Sequence, residues 1–173
     1  MTTVHRHKIF FLIGASGAGK TTLTEYIEKM PELGIAVYHF DTIGVPSHDT
    51  MHKEYGSEEA WQREKTKEWV RRIKKESVGN QNVLFDAQTR PSFIIEACAE
   101  ASVKDYQIIL VDCADAIRKQ RLTGRGQEEL ASENMIRWAA FLRNSCASIK
   151  CEVIDTTHLT IVEGAQKLVK MLQ

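Results

Sequence analysis

Gly14-Ala15-Ser16-Gly17-Ala18-Gly19-Lys20-Thr21 is the stretch on which the reading of this chain turns. It meets the phosphate-binding pattern G-x-x-x-x-G-K-[ST] at every specified position. The apolar run Ile9-Phe10-Phe11-Leu12-Ile13 before it reads as a buried strand. The residues after it, Thr22 to Met30, read as a helix. Glycines let the backbone curl so that successive N–H groups point inward at phosphate oxygens. The helix N-terminus adds unpaired donors and partial positive charge. Lys20 is expected to reach the β- and γ-phosphates, and the Thr21 hydroxyl to ligate Mg2+. Gly14 to Thr22 together form the expected cradle for a nucleoside triphosphate.

The sequence has 173 residues, which favours one domain over 1–173. Apolar residues make up 43% and charged residues 27%, enough for one substantial core under a solvated surface. The 23 basic residues balance 23 acidic ones, so no polyanionic partner such as nucleic acid is called for. The basic run Arg71-Arg72-Ile73-Lys74-Lys75 falls in a helical pattern among acids and reads as a solvated helix face. No apolar stretch approaches the ~20 residues of a membrane span. Met1 to Lys8 is polar and lacks the apolar segment of a signal peptide, so a cytoplasmic protein without a membrane partner is expected. Cys98, Cys113, Cys146 and Cys151 show no C-x-x-C or zinc-ligand spacing and read as reduced, buried thiols.

Apolar runs alternate with helical patterns along the whole chain, which points to an α/β fold around a parallel sheet. Strands are expected at Lys8–Ile13, Ile35–Phe40, Asn82–Phe85, Gln107–Val111 and Cys151–Ile154. Helices are expected near Lys20–Met30, Ser57–Ser77, Pro91–Ser102, Ala114–Leu122, Ser132–Lys150 and Leu159–Leu172. Ser57 with Glu58 and Glu59 reads as an N-cap with acidic first-turn residues, and Pro91 fits a first helical position. Pro31–Gly34, Gly44–Gly56 and Thr123–Leu130 read as irregular. Ligands of open parallel sheets bind beyond the carboxyl ends of the strands. Acids stand at or just after four of those ends: Asp41, Asp86, Asp112 and Asp155.

Two further groups of residues carry chemistry suited to phosphate. Val83-Leu84-Phe85-Asp86 is an apolar strand ending in an acid, the form that holds Mg2+ directly or through water beside a phosphate loop. Arg90, four residues on, is expected to bind a phosphate or carboxylate of a second substrate in bidentate fashion. Arg118, Arg121 and Arg125 are spaced i, i+3, i+7, one face of a helix, where like charges repel unless an anion lies between them. Arg121 is expected to stack on a purine and Arg125 to reach the transferring phosphoryl group. Arg137 and Arg143 are further candidates on the next helix. Trp61 and Trp69 read as an apolar helix face. His39 is placed on the same strand face as Asp41 and reads as a packed or surface histidine. His48 and His52 have no assigned role.

The pattern resembles the P-loop kinases of nucleoside monophosphates and small metabolites, such as adenylate, shikimate and gluconate kinases, over almost the whole chain. Asp86-Ala87-Gln88-Thr89-Arg90 is similar in spacing to D-G-x-P-R, without its Gly and Pro. Arg121-Leu122-Thr123-Gly124-Arg125 is similar to R-I-x-G-R, in which the first Arg contacts adenine and the second phosphates. Asp155-Thr156-Thr157 falls where that family has its adenine-side loop, which marks Asp155 and Thr156 as ATP-binding. The resemblance implies a three-layer fold with a five-stranded parallel sheet in order 2-3-1-4-5 and helices on both faces. It implies an acceptor-binding segment at about 41–77 and a short lid at about 123–137. In small-metabolite kinases of this kind an acid ending strand two binds or deprotonates the acceptor hydroxyl, and Asp41 stands there.

These readings converge on an ATP- and Mg2+-dependent kinase acting on a small molecule through a hydroxyl or phosphate, such as a nucleotide or an acidic sugar. Lys20 and Arg125 would stabilise transferring charge, Thr21 and Asp86 organise the metal, Asp41 orient the acceptor and Arg90 hold an anionic group on it. A nucleotide-binding regulatory ATPase or switch is the alternative from another class. GTP specificity has no support, because no N-K-x-D occurs. A polynucleotide 5′-kinase is chemically close, but the neutral charge argues against it.

Overall fold

The strand β1 (Ile9–Ile13) is buried along its length, and its side chains alternate between two cores. Ile9, Phe11 and Ile13 face one, while Phe10 and Leu12 face the other. Such burial on both faces marks the centre of a sheet covered by helices on each side. The computed structural model describes residues 7–77 and 81–173. The polar opening Met1–Arg6 lies outside the described residues.

Around β1 stand β2 (Ala36–His39), β3 (Val83–Asp86), β4 (Tyr106–Asp112) and β5 (Glu152–Asp155), in spatial order β2-β3-β1-β4-β5, all parallel. The five strands and their order agree with the arrangement the family resemblance implied. Register aligns the strand ends: Asp86 lies opposite Leu12 on one side and His39 on the other, and Asp112 lies opposite Asp155. The acids that end the strands therefore line one edge of the sheet.

One face is covered by α3 (Glu58–Glu76), α4 (Pro91–Glu100) and α6 (Glu133–Ile149), through Trp69, Val70, Ile73, Ile94, Ala97, Leu142 and Cys146. The other is covered by α1 (Lys20–Glu28) and α7 (Ile161–Leu172), through Leu23, Ile27, Ala165, Leu168 and Leu172. Between β4 and α6 runs α5 (Asp115–Gly124). Trp61 and Trp69 are both buried, as an apolar helix face requires, and Phe85 packs on Trp69 at 5.2 Å between ring centroids. Cys98, Cys113 and Cys146 are buried and Cys151 is half-buried, all free. Among the described residues no helix is long and apolar enough to cross a membrane.

One stretch read as irregular is ordered. Residues 48–55 of the Gly44–Gly56 stretch form α2 (His48–Tyr55). Ser47 caps its start by accepting from the Thr50 N–H, and Gly56, at φ 86°, ends it in the left-handed conformation. Only Met51 of this helix is buried, so the apolar periodicity that betrays a helix in sequence is missing. The residues 31–33 and 128–130 form single 3-10 turns within the other two irregular stretches.

Candidate active site

The chain leaves β1 at Ile13 and curls through 14–19 into the N-terminus of α1. Position 14 has no room for a side chain, because a Cβ there would lie 2.4 Å from the Val111 carbonyl oxygen. Gly17 and Gly19 have φ of 82° and 98°, which only glycine adopts at little cost. The hollow of this curl is a cavity of about 290 Å3. Its wall contains Gly14, Ala15, Ser16, Gly17, Gly19, Lys20, Thr21 and Thr22 of the loop and α1, together with Asp41, Gln88, Arg125, Gln127 and Leu130. The structure thus brings the glycine-rich loop, Asp41 from the turn after β2 and Arg125 from the end of α5 to one space. A second pocket of about 180 Å3 adjoins it, sharing Gly19, Thr22 and Arg125 and lined further by Leu23, Arg121, Thr156, Leu159, Thr160 and Ile161. A larger hollow near Gln107 and Cys151 lies at the opposite, N-terminal ends of β4 and β5.

Lys20 is only 5% exposed, and its ammonium is ion-paired with the Asp86 carboxylate. A buried charge requires such a partner. The other Asp86 oxygen lies 3.5 Å from His39 Nδ1, and His39 Nε2 lies 3.0 Å from Glu28. A chain Glu28–His39–Asp86–Lys20 therefore runs from the end of α1 through the ends of β2 and β3 to the loop. The expected common face of His39 and Asp41 does not exist, because β2 stops at His39 and Asp41 lies in a 3-10 turn, where two-residue alternation no longer holds. Neither the Glu28 contact nor the His39 contact had a signal in sequence, since both depend on strand order.

The segment after β3 is held from the side by α3. Gln62 donates to the Gln88 carbonyl at 2.8 Å, and the hydroxyls of Thr66 and Thr89 lie 2.6 Å apart. Arg90 donates to Gln62 Oε1 at 2.6 Å and approaches Glu59 at 3.3 Å. Its guanidinium lies over the rings of Phe93, Trp138 and Phe141 at 5.1 to 5.5 Å. Arg90, expected as a ligand of the second substrate, does not line this cavity and is held by a carboxylate, an amide and three aromatic faces. Gln88, two residues earlier, occupies the cavity wall instead, and sequence reasoning passed over it along with Gln127 and Leu130.

The arginines of α5 divide. Arg118 is 2% exposed and bonded to Asp112 at 2.7 Å. The expected repulsion awaiting an anion is therefore relieved by a carboxylate of the protein itself. Arg121 lines the second pocket and donates to the Thr156 carbonyl at 2.8 Å and to its hydroxyl at 2.9 Å. The buried Thr156 hydroxyl donates in turn to the Ala18 carbonyl at 2.7 Å. Asp155 lines neither pocket, and its carboxylate accepts from the N–H and the hydroxyl of Thr157. Those two bonds hold its pKa below the usual carboxylate range. These bonds shape the turn after β5. Arg143 pairs with Asp112, whose bond raises the arginine's pKa, while Arg137 is exposed.

Thr21 and Asp86 offer a hydroxyl and a carboxylate, the hard oxygens that Mg2+ takes. Among the described residues, no three His, Cys, Asp or Glu side chains gather into a self-sufficient metal site. This donor set fits a cation bound largely by phosphates and water, with one or two protein oxygens.

Over residues 11–150 the chain matches the family model described as AAA domain. No curated protein matches it. Solved structures of similar fold include a gluconokinase from Sinorhizobium meliloti, with a TM-score of 0.63 at 13% identity over 95% of this chain and 91% of that one. A shikimate kinase from Acinetobacter baumannii in complex with shikimate has a TM-score of 0.62 at 14% identity over 96% and 92%. The Mycobacterium tuberculosis APS kinase has a TM-score of 0.59 at 17% identity over 96% and 97%. At such identities the likeness establishes a shared fold, the five-stranded parallel sheet in order β2-β3-β1-β4-β5 with helices on both faces.

Proposed function

We propose that this chain, which belongs to the AAA-domain family, is an ATP-dependent phosphotransferase that moves the γ-phosphoryl group to a small-molecule acceptor. The observation that carries the reading is the shared cavity: the phosphate loop, Asp41 and Arg125 open on one space. A site that only held nucleotide would need no acid from the turn after β2 in its wall. The second pocket, walled by Arg121, Leu159 and Ile161, suits a purine, with apolar contact on one side and a guanidinium on the other.

In this reading Ser16, Gly17 and the start of α1 donate N–H groups to the phosphates. Lys20 exchanges Asp86 for phosphate oxygens as nucleotide enters. Thr21 and Asp86 would hold Mg2+, which would supply charge neutralisation to the phosphates. Asp41 orients an acceptor hydroxyl in line with the phosphoryl group; positioning outweighs base strength, because the transition state is loose. Arg125 offsets charge spreading over the equatorial oxygens. The acceptor segment is 41–77 and the lid 123–137, within a single domain.

An acceptor screen tests the proposal. Sugars, sugar acids, nucleosides and nucleoside monophosphates are each incubated with ATP, with and without Mg2+, and ADP release is measured. The expected result is acceptor-stimulated, Mg2+-dependent release that Lys20→Ala lowers by at least about a thousandfold while circular dichroism stays unchanged. Release that no acceptor stimulates, or full activity in Lys20→Ala, refutes it.

A further inference from the structure

The geometry points to Arg118 as a positioning residue that holds the phosphate-binding loop in its phosphate-accepting form. The inference rests on the nucleotide-binding reading of that loop. A guanidinium that is 2% exposed is costly to bury unless its donors are used. One arm of Arg118 donates to the carbonyls of Ala15 at 3.4 Å and Ser16 at 3.0 Å. The other donates to Asp112 at 2.7 Å and to the Cys113 carbonyl at 3.3 Å. Asp112 is held from its far side by Arg143 at 2.6 Å, so the anchor is itself fixed.

The consequence follows from the planarity of the peptide bond. In a trans peptide the carbonyl and the next N–H point in opposite directions. Pulling the Ala15 and Ser16 carbonyls back against α5 turns the N–H groups of Ser16 and Gly17 to the other side, and both residues line the cavity. Arg121 continues the row by donating to the Gly17 carbonyl at 3.3 Å and the Ala18 carbonyl at 3.4 Å. Four successive loop carbonyls are thus held by two arginines one helical turn apart. The loop also packs directly on Arg118: a Cβ at Gly17 would lie 3.0 Å from its Cγ and 3.1 Å from its carbonyl oxygen. A buried arginine that served only to fasten α5 to β4 would need Asp112 but not the loop carbonyls.

The test uses the full chain carrying Arg118→Met or Arg118→Lys. Lysine keeps the charge beside Asp112 but lacks the planar fork, and it is the variant read if Arg118→Met does not fold. Binding of inorganic tripolyphosphate and of ATP is measured by calorimetry, well below each variant's melting temperature. Both affinities are expected to fall about tenfold, the size of losing one or two charge-assisted hydrogen bonds. Wild-type affinity for tripolyphosphate retained within about twofold, with only a lowered melting temperature, overturns the inference alone. A wild-type chain that binds neither ATP nor tripolyphosphate overturns the proposed function and this inference with it.

Discussion

Asp41 and Lys20 line the same cavity under different physical constraints. Lys20 is buried and its charge is matched by Asp86; in the proposed reaction a phosphate takes that place. Asp41 is exposed in a 3-10 turn, its carboxylate unburdened by core packing. Asp41→Asn therefore costs little stability, within about 0.5 kcal/mol as for most surface substitutions. It keeps the shape and removes the charge proposed to align the acceptor hydroxyl. We expect kcat to fall about 10- to 100-fold while the Kd for ATP stays within about twofold. Single-turnover kinetics and ATP titration on the same preparation check this; an unaltered kcat removes Asp41 from the reaction.

At the scale of elements, α2 and α3 follow one another in the proposed acceptor segment but are stabilised differently. Both begin at a serine cap, Ser47 and Ser57. The long α3 buries Trp61, Thr66, Trp69, Val70 and Ile73, and its Gln62 and Thr66 hold the 86–90 segment in place. The eight-residue α2 buries only Met51. An isolated helix this short is marginal in water, so its caps carry much of its stability. Loss of either cap should cost about 1 kcal/mol. The readouts should differ. Ser57→Ala lowers the global melting temperature by about 2–4 °C, because α3 is part of the core. Ser47→Ala leaves the melt almost unchanged and raises amide exchange in α2 alone. Equal global shifts in the two variants would show α2 to be part of the cooperative core. A locally opening α2 suits a segment that must admit an acceptor.

At the scale of the whole molecule, the central sheet is sealed by two apolar layers, and thiols lie within them. Burial pushes the Cys98 pKa up to about 12 from an ordinary value near 9, and it pushes Cys113 up as well. A thiol whose folded pKa is raised favours the folded state fully while it is neutral in both states. That contribution is lost as pH rises through the unfolded value, since only the unfolded chain then ionises freely. Stability should therefore decline from about pH 9 toward about pH 12, and Cys98→Ala should flatten that decline. Urea melts between pH 7.5 and about pH 10.5 measure it; identical slopes for the variant and the wild type exclude Cys98 as the cause. The two-sided burial that creates this effect is also what made β1 and β3 legible as apolar runs, and the phosphate loop followed from glycine and lysine spacing alone. The short α2 was not legible, because one buried methionine makes no periodicity. The packing of Arg90 against aromatic rings of α4 and α6 was not legible either, because sequence shows the charge but not its spatial neighbours. The sequence by itself determined the alternation of strand and helix, the loop at Gly14–Thr21 and the acids at strand ends, since these depend on local conformation and period. Only the tertiary structure decided which charges are free to meet a substrate. Asp112 pairs with Arg118, Glu28 meets His39 and Arg90 sits among aromatic rings because strand order and helix packing bring together residues far apart in the chain, and for the buried Arg118 and Lys20 burial requires a partner.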